Sequence, residues 1–157
     1  MAEVSLARLL KIKSRFTNEY KTLIAILHRE NSRLKTSTSK VDRGEVFANI
    51  KDVVSRIAKA KTLISQANFD IIAQIYEMQE ARGLLAQVKT LPTRDGDFLQ
   101  RDPYSRTEII KEEYEAFLKQ EAVDQFEKEA TKRIAELQDL IDSYNAKKNV
   151  TIPDEWL

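Results

Sequence analysis

The chain has no cysteine, and that one absence removes disulfides, thiolate metal ligands and cysteine nucleophiles together. It has a single histidine, His28, so histidine-rich metal sites and the Glu-x-x-His pattern of a di-iron bundle are excluded. Its three glycines, Gly44, Gly83 and Gly96, are scattered, which leaves no phosphate-cradling glycine loop and no nucleophile elbow. Pro92, Pro103 and Pro153 are its only prolines, so long stretches of chain are free to be helix. The longest apolar run, Leu23 to Leu27, is far short of the roughly 20 residues of a membrane span, and no signal-peptide core opens the chain. A soluble, unexported protein in a bacterial cytoplasm, or in a host cytoplasm if viral, is expected, without a membrane partner.

What the chain has in abundance is charge, 32% of 157 residues, distributed unevenly. Residues 1–68 hold 14 Lys+Arg against 6 Asp+Glu, and residues 69–157 hold 12 against 19, so a half of net +8 is followed by one of net −7. A basic arm can pack on an acidic one, within or between protomers, or offer its positive face to an anion.

Apolar spacing is helical over most of the length. Leu6, Leu9, Phe16, Tyr20, Leu23, Leu27 and Leu34 mark a first helix over about 4–35, with Lys13 and Glu30 interrupting its seam, and Thr36–Lys40 is a polar reversal. Asp42 and Glu45 form a capping box, with Val41 and Val46 as its staple. Val46, Ile50, Val53, Ile57, Ala60, Ile64 and Ala67 then follow in strict heptad steps. The phase slips at residues 68–70, which predicts a kink or break in a helix over 43–91. Residues 92–105 read as a loop. A second capping box, Ser105 with Glu108, predicts a helix over 106–148 whose apolar positions include Ile109, Phe117, Val123, Phe126, Ala130, Ile134, Leu137, Ile141 and Tyr144. Trp156 is expected to dock on the bundle or on a neighbour. The expected fold is all-α, a single elongated antiparallel helical bundle with a coiled-coil-like hairpin and a long C-terminal helix.

Residues 102–109, Asp-Pro-Tyr-Ser-Arg-Thr-Glu-Ile, resemble a stretch in the septicolysin-like family of small bacterial helical proteins. The order of elements agrees over most of the chain: a basic first helix, a heptad helix ending near Asn68, the motif, and a terminal helix with Val123, Asp124 and a late Asn145. The resemblance implies an oligomeric helical bundle and no established activity.

Chemistry has one concentrated candidate. Arg94, Arg101, Tyr104, Ser105 and Arg106 surround an expected helix N-terminus, where free amides, arginine forks and an aromatic plane suit a phosphate or nucleotide. The competing reading is structural: Ser105 caps, Tyr104 staples, and the arginines pair with Asp95, Asp97, Asp102 or Glu108. A metal-dependent all-α nucleotide pyrophosphohydrolase needs carboxylates one turn apart on facing helices. Glu77 with Glu80, Glu121 with Asp124, and Glu136 with Asp139 have that spacing, but any acidic helix does. Lys11, Lys13, Arg15, Arg29, Arg33, Lys35, Arg56, Lys59 and Lys61 raise nucleic acid as a further partner, against which the acidic second half stands. The reading carried forward is a non-catalytic, homo-oligomeric binding or scaffold protein without cofactor. A small-anion or nucleotide sensor built on residues 92–106 and a nucleic-acid binder are its alternatives.

Overall fold

The computed structural model describes residues 1–32, 41–101 and 109–157. It is mainly helical but not all-α, because two small two-stranded sheets accompany the helices. The described chain runs β1 (Ala2–Ser5), α1 (Leu6–Glu30), α2 (Arg43–Ala67), α3 (Ile72–Val88), β2 (Gly96–Arg101), β3 (Ile109–Tyr114), α4 (Gln120–Lys147) and β4 (Asn149–Ile152). Single 3₁₀ turns, Phe69–Ile71 and Asp154–Trp156, precede α3 and follow β4. Contacts divide it into two compact units where one helical domain is expected: Met1–Ile72 with Ile141–Leu157, and Ala73–Leu140.

In the first unit β1 and β4 pair antiparallel, with Ala2 opposite Ile152 and Ser5 opposite Asn149. Ser5 then caps α1, accepting from the Arg8 amide at 3.3 Å, so the expected helix starts at Leu6 rather than near Val4. Asp42 caps α2 as its sequence predicts, accepting from the amides of Gly44 at 2.8 Å and Glu45 at 3.1 Å. The heptad positions Val46, Ile50, Val53, Ala60 and Ala67 are buried, and Ile57 and Ile64 pack half-buried on the same core. Leu6, Leu9, Ile12 and Phe16 of α1 share a core with Val53, Ala60 and Ala67, so this part of the seam is covered inside one chain. Trp156 docks on that core, its indole edge-on to Phe16 at a centroid distance of 5.4 Å. The phase slip at 68–70 is a real break: Asn68 ends α2, its amide donating to the Ile64 carbonyl at 3.0 Å, and the 3₁₀ turn resets the helix. Tyr144 and Lys148 fasten this corner, both donating to the Asp70 carboxylate, at 3.1 and 2.9 Å, while Tyr144 also reaches the Ala67 carbonyl.

In the second unit Met78 of α3 and Val123 and Leu137 of α4 are buried. Ion pairs Glu77–Arg133 at 2.7 Å and Lys89–Glu127 at 2.6 Å join the two helices along their flanks. Rising numbers on α3 meet falling numbers on α4, so here the helices run antiparallel.

The chief correction concerns residues 92–119. A loop over 92–105 and a helix from 106 are expected, but β2 and β3 form an antiparallel hairpin with Gly96 opposite Tyr114 and Arg101 opposite Ile109. The capping box of Ser105 and Glu108 lies outside the described residues, as does the Thr36–Lys40 reversal. The physical reason is periodicity. Regular three- and four-residue apolar steps run unbroken only from Val123, whereas Ile109 and Ile110 are adjacent β-branched residues that favour a pleated strand. Gly96 opens β2 at φ +95°, a conformation that side chains with a Cβ rarely adopt. Phe98 and Tyr114 then close the hairpin by an edge-to-face contact at 5.5 Å.

Candidate functional site

The hairpin presents part of the predicted ligand site. Arg94 lies over the rings of Phe98, at 5.9 Å, and Tyr114, at 5.7 Å, a cation–π arrangement. The Tyr114 hydroxyl donates to the Glu112 carboxylate, which raises the Tyr114 pKa above its ordinary value while the Arg94 charge pulls the other way. Asp95 accepts from Lys119 at 2.6 Å and from the Ala116 amide at 3.2 Å, and both hold its pKa below the ordinary carboxylate value. A concavity of about 580 Å³ opens beside them, walled by Asp95, Gly96, Glu113, Tyr114 and Glu115. Three carboxylates make it hostile to phosphate.

Arg94 and Arg101 do not converge. Arg94 precedes β2 and Arg101 ends it, so about 17 Å of strand separates them. Tyr104, Ser105 and Arg106 lie outside the described residues. Among the described residues, then, the predicted set yields one arginine stacked on an aromatic pair and one exposed at the far end of its strand.

A more basic hollow, of about 430 Å³, lies on the first unit, lined by Ser5, Ala7, Arg8, Lys11, Ile12, Arg15 and Leu157. Arg8, Lys11 and Arg15 fall at i, i+3 and i+7 and therefore share one face of α1. Arg15 is held there by donating to the Trp156 carbonyl. Sequence reasoning found Lys11 and Arg15 but not Arg8, although its three-residue spacing from Lys11 is the signal that adds it.

A third hollow, about 300 Å³, lies between α1 and α2 and is lined by Lys13, Thr17, Tyr20, Val54, Ile57 and Lys61. Lys13, the interruption in the predicted seam, stands at its edge.

Three of the six paired carboxylates, Glu77, Glu136 and Asp124, are otherwise engaged. Glu77 and Glu136 both reach Arg133, at 2.7 and 3.5 Å, and raise the pKa of its guanidinium, Glu77 foremost. Asp124 accepts from Gln120 at 2.7 Å. Among the described residues no three metal-ligating side chains come together. His28 is exposed in the last turn of α1, where a cation suits the helix dipole. Among the described residues no helix is long and apolar enough to cross a membrane.

No family model and no curated protein matches the chain. Its fold is similar to that of a functionally unknown conserved protein from Corynebacterium diphtheriae, known from a crystal structure. The TM-score is 0.74 at 17% identity, over 96% of this chain and 100% of that one. At that identity the likeness is one of fold alone.

Proposed function

We propose that this chain is a non-catalytic helical binding protein that associates with copies of itself. The observation that carries the reading is the set of large apolar side chains left in water after the α1–α2 seam has closed: Phe69 is 80% exposed, Tyr76 59%, Leu84 54% and Phe117 98%. Side chains of that size standing outward are the ordinary material of protein interfaces. The engagement of Glu77 and Glu136 by Arg133 supports the non-catalytic part, since carboxylates neutralised by a guanidinium are poor ligands for Mg²⁺. The septicolysin-like resemblance belongs to the same proposal, because it implies an oligomeric helical bundle. Multi-angle light scattering over a concentration series tests it: a mass above one chain at micromolar concentration is expected, and a monomer at every concentration refutes it.

A small anionic ligand is the second reading, and the three cations around the hollow on α1 favour it there over the carboxylate-walled hollow of the hairpin. A thermal-shift panel of phosphate and nucleotides should then show a rise in Tm that the Arg8→Ala/Lys11→Ala variant loses.

A further inference from the structure

We infer that Phe117 of one copy docks into the groove between α1 and α2 of a second copy, with acidic residues around the phenyl ring meeting the lysines at the groove's edge. The inference rests on the self-association proposed above and names its surface. Phe117 stands 98% exposed in the short link between β3 and α4, so almost none of its ring is buried by its own chain. Glu112, Glu113 and Glu115 precede it and Glu121 follows, while the neighbouring Lys111 and Lys119 are matched by Asp97 and Asp95, which leaves it an apolar knob among acidic residues. Neither Glu113 nor Glu115 meets a cation among the described residues.

The groove is its counterpart in shape and in charge. Tyr20, Val54 and Ile57 give it an apolar lining, and its volume of about 300 Å³ admits an aromatic side chain. Lys13 and Lys61 flank that lining, and neither forms an ion pair among the described residues. Two ammonium groups beside a docked phenyl ring can act on its face and on the neighbouring carboxylates at once. Lys51 already sits 5.1 Å from the Phe47 ring on the same helix. Knob and groove are different surfaces of the chain, so the contact joins unlike surfaces of two copies.

Light scattering of the full chain and three variants tests the contact. Phe117→Ala should weaken association by roughly 30-fold or more, as for a central aromatic anchor, and leave the far-UV circular dichroism of the folded chain unchanged because almost none of the ring is buried by its own chain. Lys13→Glu/Lys61→Glu should also dissociate the oligomer, and mixing it with Glu113→Lys/Glu115→Lys should restore association between the two variants. An oligomer unmoved by Phe117→Ala and by the lysine reversal overturns this contact while self-association stands. A wild-type chain that is monomeric throughout overturns both.

Discussion

Asp70 shows how much one exposed side chain can organise. It accepts from Lys148 and Tyr144, and the Lys148 hydrogen bond is the largest influence holding its pKa below 3.8, while Asp70 in turn raises that of Lys148. A carboxylate whose folded pKa is depressed contributes stability that is present above its unfolded pKa and lost as pH falls through the folded one. Lys148, raised, contributes below about pH 10.5 and loses its share as pH rises further. Thermal melts should therefore fall on acidification below about pH 4, and Asp70→Asn should flatten that fall without altering the melts' dependence on chain concentration. Trp156 is the other decisive residue. It is buried against Phe16, so Trp156→Ala should cost about 3–5 kcal/mol in urea unfolding followed by circular dichroism.

The elements differ in how openly the sequence declares them. In α2, cap, staple and heptad all agree, and the structure follows them from Arg43 to Ala67. Its Ala60 is fully buried where α2 meets the core, so Ala60→Leu should overpack the contact and destabilise by about 1–3 kcal/mol in the same urea measurement. The β2–β3 hairpin was illegible because its evidence is cross-strand: Phe98 and Tyr114 are 16 positions apart, and only pairing brings their rings together. A capping-box pattern at Ser105 and Glu108 also competed with the strand signal of Ile109 and Ile110. Tyr114→Ala removes the ring contact, and hydrogen exchange should quicken at the amides of β2 and β3 while α2 remains protected.

At the scale of the molecule, charge and apolar surface are distributed by different rules. Among the described residues, Arg8, Lys11, Lys13, Lys51, Lys59 and Lys61 of the first unit form no ion pair, although Arg29, Arg56 and Lys148 do; in the second unit Lys89, Lys111, Lys119 and Arg133 are each matched to a carboxylate, although Arg82, Arg94, Arg101, Lys128 and Lys132 are not. Unmatched cations on α1 and α2 make any association through them sensitive to screening. The measured oligomer mass should fall as salt is raised from about 0.05 to 0.5 M if lysine–carboxylate contacts hold the copies together. If nucleic acid is the partner of these cations instead, a gel shift should weaken steeply over the same range.

The sequence by itself determined the helices of the first unit, the cap at Asp42, the phase slip at residues 68–70, though not whether it kinks or breaks the helix, and the opposed charge of the two halves, because each depends on spacing between residues near one another in the chain. Only the tertiary structure decided that the α1–α2 seam closes within one copy, that Arg94 and Arg101 stand apart, that Arg133 occupies Glu77 and Glu136, and that Phe117 remains in water. Each of these is a question of which distant segments meet, and the local pattern of a helix or strand shows which side is apolar without showing what will cover it.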